Sequence, residues 1–138
     1  MSEQSTSNLP PVPSPTFVYH LVSLKAFDDD VAQHGNEYFQ GDTRDGFLHM
    51  SMKEEVEKTC RLYLSNVSDL IILKIDLKSL EQKLNPQLGE RISFDWVQSR
   101  NNYFPHLYGK LPVDCIVDII EVTRDEQNGQ HIFDNIQF

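Results

Sequence analysis

Asp69-Leu70-Ile71-Ile72-Leu73-Lys74-Ile75-Asp76 decides how this chain folds. Its apolar residues run together without polar alternation, the pattern of a strand covered on both faces. Asp76 offers an N-cap, and Leu77, Leu80 and Leu84 follow at helical spacing until Pro86 and Gly89 end the segment. A buried strand running straight into a short amphipathic helix needs further layers on either side, so the flanking sequence has to supply them.

Upstream, Phe17-Val18-Tyr19-His20-Leu21-Val22 reads as a first strand, and Lys25 to Gln33 as a short helix with Phe27 and Val31 inward and a stop at His34-Gly35. Asp28-Asp29-Asp30 reads as its solvated face. A polar loop then runs to Asp45. Gly46-Phe47-Leu48-His49-Met50-Ser51 is a short strand that feeds a helix, with Ser51 and Glu54 as a capping box and Val56, Cys60, Tyr63 and Leu64 on the packing face. Downstream, Arg91 to Val97 and Cys115 to Val122 read as strands. Ile132, Phe133, Ile136 and Phe138 suggest a last strand beyond the Asn128-Gly129 turn.

These elements describe an α+β domain with a mixed or antiparallel sheet and two to three packed helices. The 138 residues, 39 % of them apolar, suffice for one core without disulfides or metal. Residues 1–15, rich in Ser, Pro, Gln and Asn, are expected to form a disordered tail, and residues 16–138 a single globular domain. Neither a secretion signal nor a membrane-length apolar run is visible, which predicts a soluble cytoplasmic protein. With 21 acidic against 12 basic residues the net charge is −9, and the scattered Lys and Arg argue against nucleic-acid or membrane partners. Cys60 and Cys115 lack zinc or redox spacing and read as reduced core thiols. No glycine-rich phosphate loop or serine-hydrolase elbow is present.

Three segments stand together in order: Tyr19-His20 on the opening strand, Gly46-Phe47-Leu48-His49-Met50-Ser51 before a helix, and Phe104-Pro105-His106-Leu107-Tyr108-Gly109 before the late strands. Over residues 18–122 the chain resembles the family known as domain of unknown function 952. That resemblance implies a split-sheet fold similar to the ADP-ribosyltransferases, which hold NAD. By it His20 contacts a ribose hydroxyl, Ser51 and Tyr108 line the pocket, and Asp95 is the acid. Where the resemblance implies an aromatic-Glu pair, this chain carries Phe94-Asp95, whose side chain is one methylene shorter.

The residues add their own weight. His106 and His49 sit beside large apolar residues in short motifs, where an imidazole either satisfies a structural hydrogen bond or joins a shared polar site. Pro105 keeps the chain extended and puts His106 and Tyr108 on one side. Arg100 is the natural fork for a phosphate or carboxylate. Ser51, opening a helix, has room for an anion beside it. His20, His49 and His106 come from three distant elements, which argues against a metal site. The expectation is a pocket with His106, Asp95 and His49 as catalytic candidates and His20, Ser51, Arg100 and Tyr108 as ligand contacts. It suits a small nucleotide or NAD-like molecule and group transfer or hydrolysis. The alternative is a noncatalytic binding module in which the histidines are structural.

Overall fold

The computed structural model describes residues 8–138. The tail expected over residues 1–15 therefore lies partly outside the described residues. Residues 8–15 carry no helix or strand, and the Pro10 carbonyl accepts a hydrogen bond of 2.6 Å from the Tyr103 hydroxyl.

The described residues form one mixed α+β domain with three α-helices, and their strand pairs are all antiparallel. In order they are β1 (Phe17–Ser23), α1 (Leu24–Gln33), β2 (Tyr38–Phe39), β3 (Leu48–His49), α2 (Val56–Tyr63), β4 (Leu70–Asp76), α3 (Leu77–Lys83), β5 (Arg91–Val97), β6 (Asn102–Tyr108), β7 (Leu111–Pro112) and β8 (Ile116–Glu121). One sheet has the order β1-β4-β8, another β3-β6-β5, and β2 pairs with β7.

The run at β4 is unalternated because the strand is central and buried on both faces. Ile71, Leu73 and Ile75 enter a core with Val18, Phe27 and Leu107, whereas Leu70 and Ile72 enter a second core with Val56, Cys60 and Phe133. Burying each such side chain is worth roughly 1.5–3 kcal/mol, so this strand alone commits the chain to layers on both sides. Asp76 caps α3 as its sequence position predicts, accepting from the Ser79 N–H at 2.9 Å.

The two three-stranded sheets meet at residues 48–51. Met50 donates its N–H to the Pro105 carbonyl on one side, while Ser51 and Tyr19 exchange both backbone bonds on the other. This corrects the reading of Ser51 as a helix cap. Its backbone belongs to a strand bridge, so the helical turn starts later, after Met52, first as a 3-10 turn at Lys53–Glu55 and without a side-chain cap. Pro105 is tolerated within the middle strand β6 because its missing N–H falls on the edge facing β3, where that short strand ends.

Three further expectations change. Ile132 to Phe138 do not form a strand; beyond a single bridge from His131 to Arg124, Phe133, Ile136 and Phe138 lie as an irregular strap over the second core. Tyr63 does not pack inward but is 70 % exposed at the last residue of α2. Asp30 is not simply a solvated residue, since its carboxylate accepts the N–H groups of Gln40 and Gly41, both at 2.9 Å, and so anchors the next loop. Gly41 in that loop has φ +71°, and a Cβ there would sit 2.6 Å from Leu48 Cδ1 and 2.8 Å from the Phe39 ring. Only glycine allows that turn without displacing both side chains.

Candidate functional site

A cleft of about 750 Å³ opens where the two sheets meet. His20, His49, Ser51, Arg100 and His106 all line it, together with Asp42, Arg44 and Asp45 from the loop that Asp30 anchors. Among the expected site residues, Asp95 and Tyr108 stand outside the lining: Asp95 behind His106, and Tyr108 beneath Arg91, whose guanidinium lies 4.0 Å from its ring.

Strand periodicity builds the most organised part. Phe104, His106 and Tyr108 share one face of β6, and the facing strand β5 presents Ser93 and Asp95 on the same side. Ser93 is directly opposite His106, and Asp95 is two residue pairs further along, opposite Phe104. The Asp95 carboxylate accepts His106 Nδ1–H at 2.7 Å through Oδ2, and the Ser93 hydroxyl at 2.7 Å through Oδ1. Because the Nδ1 partner is an anion, the proton sits on Nδ1 and the lone pair is left at Nε2. Burial would raise the Asp95 pKa, but the bonds from Ser93 and His106 outweigh it and hold the group below its ordinary range. Burial also pushes the His106 imidazole down, against the opposing pull of Asp95, so it is neutral at pH 7.

Phe47 covers His106, its ring stacked at 4.0 Å with 24° between planes, and it also approaches His49 at 4.7 Å and Tyr108 at 5.3 Å. His49 is directly opposite His106 across the β3–β6 pair. Its imidazole is exposed and bonds Asp45 Oδ2 through Nε2 at 2.8 Å. Its carbonyl points the other way, toward β1, and accepts His20 Nδ1–H at 2.6 Å. Burial lowers the His20 pKa to about 4, so this imidazole too is neutral and keeps a lone pair at Nε2.

Arg100 is placed by the β5–β6 turn but is not free. Its Nη2 bonds Glu55 Oε1 at 2.8 Å and Thr59 Oγ1 at 2.9 Å, its guanidinium carbon lies 4.6 Å from the Phe104 ring, and its Nε is buried without a partner. Glu55 is held in turn by Asn102 Nδ2 at 3.1 Å. Arg100 thus clamps the strand turn to the start of α2 and closes one end of the cleft. Ser51 faces the cleft from the strand bridge, so the helix-opening anion expected beside it has no capped helix end to bind.

Sequence reasoning missed Ser93, Phe47, Glu55 and Asp45 as supports of the site. Ser93 and Asp95 at strand spacing carried a legible signal; Glu55 did not, because it lies 45 residues from Arg100. Away from the cleft, His131 is also buried, with Nε2–H bonded to the Val67 carbonyl at 2.6 Å and Nδ1 at 3.3 Å from Cys60 Sγ. Burial raises the thiol pKa of Cys60 and of Cys115, and both cysteines are free and buried. Among the described residues no three His, Cys, Asp or Glu side chains converge as a metal site, and no helix is long and apolar enough to cross a membrane.

No curated protein matches the chain. Solved structures do. The crystal structure of protein CC0527 from Caulobacter crescentus superposes with a TM-score of 0.69 at 24 % identity, covering 85 % of this chain and 94 % of that one. A double mutant of the same protein gives 0.69 at 23 % identity with the same coverage. Its solution NMR structure gives 0.58 at 26 % identity, covering 81 % and 89 %. The likeness shows a shared fold. A family model matches residues 25–119, well over half the chain, and the chain accordingly belongs to the family described as Protein of unknown function (DUF952).

Proposed function

We propose that this domain is a cytosolic, ADP-ribosyltransferase-like ligand-binding protein whose cleft takes a nucleotide or NAD-like small molecule, with His106 as the acid–base group for group transfer or hydrolysis. The observation that carries the reading is the Ser93–Asp95–His106 chain. A carboxylate on Nδ1 fixes the tautomer and ring angle of an imidazole whose other nitrogen is basic and borders a cleft. A positioned base of this kind contributes ~100- to 10,000-fold to a proton-transfer step. His20, neutral and with Nε2 free to accept, is suited to a ligand hydroxyl such as a ribose would supply. Ser51 is a second hydroxyl partner on the same wall.

Thermal unfolding of the full chain with NAD, ADP-ribose and AMP tests this. A ligand at ~100 times its dissociation constant stabilises by about 2.7 kcal/mol, a rise of several degrees in the midpoint. The expected result is such a rise with at least one of the three, abolished in His106→Ala, which should still fold. If none of the ligands moves the midpoint and His106→Ala only lowers it, the histidines are structural and the domain is a noncatalytic interaction module.

A further inference from the structure

The charges of the cleft restrict which part of a ligand it can hold. Two cations line it, Arg44 and Arg100, and each is already matched by an acid. Arg44 Nη2 lies 2.7 Å from Asp42 Oδ2 at the rim. Arg100, only 6 % exposed, lies 2.8 Å from Glu55 Oε1, and its guanidinium is enclosed between that acid, the Thr59 hydroxyl and the Phe104 ring. Its unpartnered Nε is sealed from the cleft, so it gives a phosphate no foothold. No lysine lines the cleft, whereas Asp42 and Asp45 do, and Asp95 stands directly behind His106.

The two inward-facing imidazoles are acceptors, while the hydroxyls of Ser51 and Thr59 can donate or accept. His20 and His106 each donate Nδ1–H to the protein, to the His49 carbonyl and to Asp95, which leaves Nε2 of each as a lone pair. A phosphate offers only acceptor oxygens and negative charge; between the imidazoles it would face lone pairs, it would compete with Glu55 for Arg100, and it would meet Arg44 only at the exposed rim beside Asp42. Hydroxyl, amine and amide N–H groups meet the opposite situation. We infer that the cleft binds the uncharged or cationic, donor-bearing part of its ligand, a nucleoside or a similar polyhydroxylated ring, and leaves any phosphates in solvent. This rests on the ligand-binding reading of the cleft and gives its chemical class. The overall charge of −9 acts in the same sense at long range.

Matched pairs separate the two halves of the idea. Binding of adenosine and AMP, and of nicotinamide riboside and its 5′-monophosphate, is measured by calorimetry on the full chain at low and high salt. The nucleoside of a pair is expected to bind as well as its phosphate, within about threefold, with little dependence on salt. Glu55→Gln, which leaves Arg100 unmatched, should tighten AMP several-fold and leave adenosine unchanged. A phosphate that binds ~10-fold tighter than its nucleoside, and loses that advantage in high salt, overturns the inference while leaving the ligand-binding reading intact. If neither pair binds at all, both fall together.

Discussion

His106 and His131 are the two buried histidines, 8 % and 5 % exposed, and they differ in how many ring nitrogens the protein occupies. His131 uses both: Nε2–H goes to the Val67 carbonyl, and Nδ1 faces the Cys60 thiol, which can only donate to it. Nothing of that imidazole is left for a ligand, and no described cleft reaches it. His106 uses one nitrogen on Asp95 and keeps the other at the cleft. Burial alone therefore does not separate a structural histidine from a chemical one; the count of nitrogens already bonded does.

The most severe way to break that contrast is to remove the saturated side. His131→Ala strips a partner from the Val67 carbonyl and from Cys60 and opens a cavity beneath the C-terminal strap, costing about 2–4 kcal/mol in urea unfolding. Any ligand response of the cleft should survive in the folded fraction. A loss below about 0.5 kcal/mol would show that the pair is not structural after all.

His20 gives the next largest effect, through pH. Its folded pKa, about 4, lies below the value near 6.5 of an unfolded imidazole, because burial disfavours its charge. The unfolded chain therefore takes up the proton first as pH falls. Stability is full above about pH 6.5 and is lost progressively down to about pH 4, by on the order of 2 kcal/mol after allowing for partial exposure. His20→Asn, which retains a donor for the His49 carbonyl, should flatten the stability profile measured between those limits; an unchanged slope would assign it to other groups.

Asp95→Asn should have the smallest effect on stability, under about 1 kcal/mol, since the carboxylate is partly exposed and its ion pair is screened. Its effect on His106 is the sharper test. Without the carboxylate that raises it, the His106 pKa should fall further, and Nδ1 should lose its preference for the proton. Imidazole nitrogen shifts followed by NMR titration report both. Retention of the wild-type tautomer in that variant would mean that Phe47 stacking and the backbone, not Asp95, orient the ring.

Much of the scaffold was legible because local signals agreed with tertiary burial. The unbroken apolar run at β4, the Asp76 cap and the Ser93–Val97 alternation each state their own environment. Where the chain reads wrongly, a distant partner overrode a local one. Ser51 and Glu54 have the spacing of a capping box, yet Tyr19, 32 positions earlier, takes both backbone groups of Ser51. The apolar C-terminus reads as a strand in the sequence because a covering strap and a strand bury the same residue types. Pairs as short as β2 and β7 carry no period to detect.

The candidate site divides along the same line. The types and spacing of His20, His49 and His106, the extended Pro105 segment and the acidic balance are properties of the sequence by itself, since they depend on side-chain chemistry and on the two-residue repeat of a strand. Which nitrogen of His20 and of His106 is free, and that Arg100 is paired with Glu55, were decided only by the tertiary structure. Hydrogen-bond partners 29 and 45 residues apart are chosen by how the two sheets join, and no local pattern encodes that choice.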